Sequence, residues 1–256
     1  MKRVTGIGGI FFKVSDVNVI KAWYRDHLGF VTTDWGATFV WGDPDKPSRT
    51  EWSPFKNDTK HFNPSTESFM INYRVHDLKQ LVEQLRSEGV TIVDDVQETE
   101  YGNFGWIMDN ENRKIELWEP VDDKLGDTPP VWTERVTGLG GVFFKSDDPR
   151  KTTEWYVKHL GIGDVPLRWN DLSNPNAKVQ AQTIWSPFKK DTDYFNPGEK
   201  SFMFNYRVRD LARLMSALKD EGVTIVGKIE EYPYGKFGWI MDPDGSKIEL
   251  WEAVDD

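Results

Sequence analysis

The 256-residue sequence contains no cysteine and only four histidines. This excludes a disulfide framework, a thiolate nucleophile and a thiolate metal site. No apolar run approaches the roughly 18 residues that a membrane-spanning helix needs. Basic residues are outnumbered, with 32 Lys and Arg against 42 Asp and Glu and a net charge of −10. Because nucleic acids and anionic membranes attract clustered cations, we expect neither as a partner.

Three further features bear on location and core. The apolar stretch near the N-terminus is interrupted by glycines and ended by Lys13 and Asp16, so it is a poor match to a signal peptide. The lack of cysteine fits a reducing compartment, and we expect a cytoplasmic protein. Aromatic residues are abundant, with 12 Trp, 15 Phe and 8 Tyr. Such side chains must be buried or must line a binding site.

The sequence is duplicated internally. VTGIGGIFFK at 4–13 recurs as VTGLGGVFFK at 136–145, and the blocks 4–30 and 52–119 recur at 136–162 and 185–252. A repeat of this length indicates gene duplication and two homologous domains. The Pro-containing acidic stretch between the copies is typical of a linker. We predict a first domain at 1–120, a linker at 121–134 and a second domain at 135–256.

Within each repeat the hydrophobic period changes between that of strands and that of helices. Ile10, Phe12 and Val14 alternate as in a strand, whereas DVNVIKAWYRDHLGF has helical spacing between an Asp cap and a terminal Gly. SFMINYRV then predicts a strand and DLKQLVEQLRSEG a second helix, followed by three strands. The poorly matching pieces, 31–51 and 163–184, have the Asp, Pro, Gly and Asn content of a variable loop. The class is α+β, with four strand–helix–strand units.

This order of elements, with helices ending in HLGF or HLGI and a final hairpin reading MDPDGSKIELWE, resembles the vicinal oxygen chelate (VOC) superfamily. The superfamily includes glyoxalase I, bleomycin-resistance proteins and extradiol dioxygenases. The resemblance implies four βαβββ units that form two tandem glyoxalase/bleomycin-resistance-type domains with incompletely closed eight-stranded sheets. It also implies that the two clefts form between the repeats, as in fused glyoxalases.

Strand alternation predicts which side chains face each cleft. In SFMINYRV, the residues Phe69, Ile71, Tyr73 and Val75 should meet the helices, which leaves the intervening side chains on the concave side. A cleft of aromatic, charged and amide groups suits a small, partly apolar ligand with a carboxylate or carbonyl. The predicted ligand-binding residues are Phe11, Lys13, Glu51, Met70, Asn72, Arg74, Trp118, Phe143, Lys145, Met203, Asn205, Arg207 and Trp251.

Most metal-ligand positions of the superfamily lack a donor here. The positions that carry His, Gln or Glu in metal-dependent members correspond to Gly9, Glu51, Met70 and Glu116 in one copy and to Gly141, Ile184, Met203 and Glu249 in the other. A catalytic divalent metal usually needs three or four N or O ligands from the protein. We therefore expect no cofactor; a divalent metal held by Glu51, Glu116 and Glu249 is the alternative.

Glu116 and Glu249 recur in both copies, and they are the candidate catalytic residues, as general bases or metal ligands. The alternative is a buried ion-pair or hydrogen-bonded network with Lys13, Lys145, Arg74 or Arg207. None of the four histidines falls at a ligand position, and His61 is not expected to be catalytic. The recurring segments 52–64 and 185–197, which begin WSPF and end FNP, predict either a lid over the ligand or a contact between the repeats.

Three functions follow as hypotheses. The first is a tandem VOC protein that binds a small organic molecule without the usual catalytic metal, as drug-sequestering resistance proteins do. The alternative is a metal-dependent lyase or isomerase of the glyoxalase I type, and the third is an assembly module. Whether the chain is an enzyme stays open at this point. We expect the chain to form a pseudo-dimer of its two repeats; a homodimer is the further alternative.

Overall fold

The computed structural model describes residues 3–43, 46–121, 135–163, 166–172 and 180–254. The predicted linker at 121–134 falls almost entirely on residues outside these ranges, so the domain boundaries stay a prediction. The elements of the first repeat are β1 (Val4–Val14), α1 (Val17–Leu28), β2 (Ala37–Asp43), β3 (Lys46–Lys56), β4 (Phe69–Val75), α2 (Leu78–Ser87), β5 (Ile92–Thr99), β6 (Gly102–Met108) and β7 (Lys114–Pro120).

The second repeat follows the same order, and a single-turn 3₁₀ helix, Asp193–Phe195, precedes its fourth strand. Its elements are β8 (Val136–Ser146), α3 (Pro149–Leu160), β9 (Leu167–Asn170), β10 (Gln180–Lys189), β11 (Phe202–Val208), α4 (Leu211–Asp220), β12 (Ile225–Tyr232), β13 (Gly235–Met241) and β14 (Lys247–Ala253).

The helices begin and end where the sequence signals predict. The Asp16 carboxylate accepts hydrogen bonds from the backbone N–H groups of Asn18 and Val19 and so caps α1. The helix ends at Gly29, whose φ of 74° lies in the left-handed region that favours glycine. The chain then reverses direction toward β2.

Each repeat forms one mixed sheet, and its first strand lies near the centre. In the first repeat β1 pairs in parallel with β3 and antiparallel with β4, and the strand order is β2-β3-β1-β4-β7-β6-β5. The second sheet has the corresponding order β12-β13-β14-β11-β8-β10-β9. The two halves of each sheet therefore come from one repeat and are joined through its own first and fourth strands.

Two expectations about the sheets require correction. Each described sheet has seven strands, not eight, because the first unit of each repeat supplies three strands and the second supplies four. In the first repeat, residues 29–36 hold no strand, since a turn closed by the Thr33 N–H and the Gly36 carbonyl occupies this segment. The region 31–51, expected to be a loop, mostly forms the β2–β3 hairpin.

The convex faces of the two sheets pack against each other and share one apolar core with the helices. Phe12 on β1 contacts the rings of Phe202 and Phe204 on β11, at centroid distances of 5.9 and 5.5 Å. The core cluster contains residues of both repeats, including the predicted helix-facing set of β4. Because the convex faces meet, the concave face of each sheet points away from the other repeat. The prediction of clefts between the repeats is wrong; each cleft lies within one repeat.

Equivalent hydrogen bonds join the repeats at two places in this core. The indole N–H of Trp52 donates to the hydroxyl of Tyr206 at 2.9 Å, and that of Trp185 donates to Tyr73 at 2.8 Å. All four side chains are buried, so each bond satisfies groups that water cannot reach. The repeats are thereby held in one relative position.

Two clusters of partly buried charged residues, at the edges between the repeats, also connect them. Arg3 donates to the Glu88 carboxylate at 2.5 and 2.9 Å, and Nδ1 of His159 lies 2.7 Å from the same carboxylate. The equivalent cluster consists of Arg135, Glu221 and His27. Among the described residues, no helix has both the length and the apolar character to cross a membrane.

Candidate functional site

One row of side chains crosses the concave face of the first sheet. The strand register aligns Glu51, Gly9, Asn72, Glu116 and Trp106 across β3, β1, β4, β7 and β6. Side chains that are in register on one face of a sheet are neighbours, so polar groups in this row can form hydrogen bonds with each other. The second sheet has the corresponding row, Ile184, Gly141, Asn205, Glu249 and Trp239.

The glutamate of each row is the acceptor of a buried hydrogen-bond network. Glu116 accepts from Asn72 Nδ2 at 2.7 Å and from Trp106 Nε1 at 2.7 Å. Glu249 accepts from its counterparts, Asn205 and Trp239, at 2.7 and 2.8 Å. The donors in both networks are neutral amide and indole groups, whereas the sequence suggested Lys or Arg as partners of the glutamates. Burial raises the pKa of Glu249, because the charged form loses hydration.

The two networks differ in the residue that reaches over the glutamate. Nε2 of His61 lies 3.5 Å from Oε2 of Glu116, and its ring stacks on Phe55. At the equivalent position Tyr194 donates its hydroxyl to Oε2 of Glu249. Sequence reasoning left His61 and Tyr194 out of the site because neither aligns with a known ligand position. The signal that could have found them is their place in a recurring loop that is otherwise nearly unchanged.

The recurring segments that carry these residues divide between the two roles considered for them. Trp52 and Trp185 point into the core between the repeats, as described above. The later part of the first segment folds over the concave face, where Phe62 is fully buried against Phe11, Met70 and Trp106. Each segment therefore contacts the other repeat at its start and covers its own cleft further on.

The superfamily's metal ligands do not fit the residues present. A Cβ built on Gly9 would lie 2.7 Å from Cε1 and Cζ of Phe11, and one on Gly141 would lie 2.6 Å from Cζ of Phe143. A side chain at this position is therefore blocked by an aromatic ring. Within the described parts of the chain, no group of three or more His, Cys, Asp or Glu could hold a metal ion.

The three glutamates named for the metal alternative are not brought together. Glu249 lies in the second sheet, away from Glu51 and Glu116 in the first, because each sheet is built from one repeat. Glu51 accepts from the Thr38 hydroxyl at 2.8 Å, and burial raises its pKa. The three carboxylates are therefore divided between the two sheets, and a metal held by them stays the alternative prediction.

The cleft of the second repeat contains a cavity of about 530 Å³. Eight aromatic rings line it, and the Glu249 and Asn205 side chains belong to the same lining. The complete lining is Phe143, Gln182, Ile184, Ser186, Phe188, Tyr194, Asn205, Glu230, Tyr232, Tyr234, Phe237, Trp239, Glu249 and Trp251. Of the predicted site residues, this cavity includes Phe143, Asn205, Glu249 and Trp251.

The first repeat has a more polar cavity of about 510 Å³, beside the recurring segment 52–64 that covers its cleft. Its lining comprises Lys60, His61, Asn63, Pro64, Val93, Asp94, Gln97, Trp106 and Lys114. None of the ligand-binding residues predicted for this repeat belongs to that lining. Phe11 and Met70 instead fill the concave face, Lys13 lies over the Phe62 ring, and Arg74 lies over Trp118.

The remaining predicted residues of the second repeat lie beside its cavity. Met203 is fully buried in the apolar cluster under the recurring segment 185–197. The Lys145 ammonium lies 5.6 Å from the Phe195 ring centroid, and the Arg207 guanidinium lies 5.1 Å from that of Trp251. These three residues support the walls of the cleft, and their ligand-binding role stays a prediction.

Solved structures with a similar fold cover nearly the whole chain. A catechol 2,3-dioxygenase aligns with a TM-score of 0.64 and 16% identity, over 98% of this chain and 88% of its own. The Mn(II)-bound glyoxalase from Novosphingobium aromaticivorans aligns with 0.66 and 16%, over 100% and 84%. The 2,3-dioxygenase LapB from Pseudomonas sp. KL28 aligns with 0.62 and 15%, over 100% and 95%. No family model and no curated protein matches the sequence.

These observations define a class of fold. The chain is an α+β protein in which two homologous, incompletely closed mixed sheets are arranged in tandem. This fold is shared with the aligned dioxygenases and the aligned glyoxalase. The fold expected from the sequence is confirmed. Since the identities are 12–17% in the aligned structures, they carry no activity over to this chain.

Proposed function

We propose that the second repeat binds a small organic molecule in its concave cleft. The observation that carries this proposal is the cavity of about 530 Å³, whose lining combines eight aromatic rings with a few polar groups. Ligand pockets for small molecules have this size and this mixture of apolar walls and placed polar groups. Both repeats have an apolar cluster on the concave face, but the cavity of the first repeat is lined mainly by polar side chains and by a single aromatic residue besides His61, Trp106.

Binding is proposed to need no catalytic metal. Two observations support this. An aromatic ring covers Gly9 and Gly141, and the neighbours of Glu116 and Glu249 in each row direct N–H donors, which cannot bind a metal, at the carboxylates. Metal analysis of protein purified without chelators tests the point. We expect less than stoichiometric nickel, zinc, iron or manganese. One equivalent of any of them would contradict the metal-free proposal.

Two matched variants test where the ligand binds. Ser186 lines the cavity, and Ser53 is its counterpart on the first sheet. Ser186→Trp would fill the second cleft, whereas Ser53→Trp places the same bulk in the first. Binding is measured by ligand-observed NMR with a library of one- and two-ring aromatic fragments. We expect Ser186→Trp to abolish binding and Ser53→Trp to preserve it.

The opposite pattern would place the ligand in the first repeat. Fragments that bind all three proteins equally would show that the second cleft is not the site. Circular dichroism and thermal unfolding of both variants confirm that they remain folded, so a loss of binding can be assigned to the filled cleft.

A further inference from the structure

We infer that the ligand of the second cleft is an organic cation with a flat, apolar body, such as an aromatic amine in its ammonium form. This inference rests on the proposed function, because it concerns the same cavity. It replaces the carboxylate- or carbonyl-bearing ligand expected from the sequence. Four features of the described lining support it: its charge, an open acceptor position, its aromatic faces, and its differences from the first repeat.

The charge of the lining is negative. Glu230 and Glu249 contribute carboxylates, and the lining includes no Lys, Arg or His. Two cations lie outside the lining: Lys247 donates to the Tyr194 carbonyl at 2.7 Å, and Arg207 lies over the ring of Trp251. The charged groups of the lining itself are carboxylates. An anionic ligand would be repelled here, whereas a cation would be attracted.

The Glu249 carboxylate retains capacity for one more donor. Its Oε2 accepts from Trp239 and Tyr194, and within the described part of the chain Asn205 is the one donor to its Oε1. An ionised carboxylate has about four acceptor positions, two on each oxygen. A ligand N–H directed at Oε1 would therefore complete the set without displacing a protein donor.

The aromatic residues form two groups of contacting rings in the lining. Tyr232 and Tyr234 stack at 5.4 Å and contact Phe237, which stacks on Trp251. The second group consists of Phe143, Phe188, Tyr194 and Trp239. Ring faces are negative and attract cations, and they also stack on flat apolar bodies. Tyr232 and Tyr234 are 46% and 58% exposed, so their faces are accessible to a ligand.

The first repeat lacks the features that would recognise such a ligand. Gln97 replaces the carboxylate of Glu230, and Thr99 replaces the ring of Tyr232. Arg49 stands at the position of Gln182, which lines the second cavity. These substitutions change charge and aromatic content in the direction expected if only the second cleft selects an aromatic cation. The first repeat is therefore an internal control.

Three probes that share a naphthyl ring and a two-carbon chain test the inference: 2-(1-naphthyl)ethylammonium, 2-(1-naphthyl)ethanol and 3-(1-naphthyl)propanoate. Isothermal titration calorimetry at low salt compares their affinities. We expect the ammonium to bind about 5- to 30-fold more tightly than the alcohol, as one desolvated cation–π or charged contact would provide. The carboxylate should bind more weakly than the alcohol. Added salt should reduce the difference between ammonium and alcohol.

A variant at the cavity lining separates charge from shape. Glu230→Gln should reduce the affinity for the ammonium about 3-fold or more and leave that for the alcohol unchanged. The matched control is Asp94→Asn, which removes a carboxylate from the cavity of the first repeat and should change neither affinity.

The outcomes distinguish this inference from the proposed function. If the alcohol or the carboxylate binds as tightly as the ammonium, the cation preference is wrong while binding in the second cleft stands. If none of the probes binds at millimolar concentration, the proposed function itself fails, and the inference fails with it. If Asp94→Asn lowers the ammonium affinity as much as Glu230→Gln does, the site has been assigned to the wrong repeat.

Discussion

The ring of Phe143 covers Gly141 on β8, the first strand of the second repeat. A Cβ on Gly141 would lie 2.6 Å from Cζ of Phe143, closer than any van der Waals contact allows. The same arrangement holds for Phe11 and Gly9. Glycine is needed here because an aromatic ring uses the space of its side chain. The recurring VTGIGGIFFK motif thus builds an apolar concave face.

This packing predicts the effect of adding one methyl group. Gly141→Ala should lower the free energy of unfolding by about 1–3 kcal/mol, because the ring must leave its position or the strand must move. Urea denaturation measures the change. The control is Gly105→Ala, whose Cβ would meet Leu78 and Val82 at 3.5 Å, an ordinary contact. Equal effects of the two substitutions would show that the ring over Gly141 is not the cause.

A second prediction concerns the hydrogen bonds that join the repeats. Tyr73→Phe removes the acceptor of the buried Trp185 indole N–H and leaves that group without a partner. We expect a loss of about 1–3 kcal/mol in the free energy of unfolding. Tyr101→Phe, at a side chain that is 55% exposed, should change it little. A Tyr73→Phe variant as stable as the control would mean that the hydrogen bond contributes nothing.

The buried carboxyl group of Asp242, in the turn between β13 and β14, should make the free energy of unfolding depend on pH. Arg113 donates to Asp109 at 2.7 Å, but the equivalent Asp242 faces Ser246, and burial raises the pKa of Asp242 to about 6. The unfolded chain ionises this group at lower pH, so the native state holds its proton between about pH 4 and 6. Stability from this group is therefore present below pH 4 and is lost as the pH rises through 6.

Asp242→Asn tests that sign. The substitution should remove up to roughly 3 kcal/mol of the decline in unfolding free energy between pH 4 and 7, since each pKa unit corresponds to about 1.4 kcal/mol. Denaturation curves at a series of pH values give the comparison. Asp109→Asn should instead destabilise at pH 7, because it leaves the Arg113 guanidinium buried without that partner. Parallel pH profiles for wild type and Asp242→Asn would contradict the assignment.

The clusters at the edges between the repeats predict a dependence of the opposite sign. Hydrogen bonds from Arg3 and His159 hold the pKa of Glu88 at about 2, and Arg135 and His27 do the same for Glu221. Their stabilisation is present above the ordinary glutamate pKa and is lost as the pH falls toward 2.

The double variant Glu88→Gln/Glu221→Gln tests this pair of clusters. It should be less stable than wild type at pH 7 by about 1 kcal/mol per site or less, because both carboxylates are partly exposed. The difference should vanish near pH 2. Glu98→Gln, at an exposed ion pair with Lys79, provides the control. A difference that persists at pH 2 would show that charge is not its source.

Local patterns in the sequence predicted the faces of the strands well. The period-two alternation in β4 placed Tyr73 toward the core and Asn72 on the concave face, and the structure confirms both orientations. The sequence also predicted that α1 is capped by Asp16 and ends at Gly29. Helix caps and strand faces are determined by residues that are close in sequence. The local pattern of polar and apolar residues is therefore enough to predict them.

The arrangement of the repeats and the cavity could not be obtained in this way. Which strands join the two halves of a sheet depends on long-range pairing, and the resemblance suggested the wrong partners. Tyr194 reaches Glu249 from a loop 55 residues away in sequence. The alternation rule says nothing about such a loop, because its path over the cleft is set by the packing of Phe195 and Lys247 beneath it.

A crystal structure of the protein soaked with 2-(1-naphthyl)ethylammonium would show where this ligand binds. We predict ligand density in the second repeat, with the ammonium within hydrogen-bond distance of Oε1 of Glu249. The naphthyl ring should lie against the aromatic group formed by Tyr232, Tyr234, Phe237 and Trp251. Density in the cleft of the first repeat, or an ordered ligand elsewhere with the second cleft unchanged, would contradict the account.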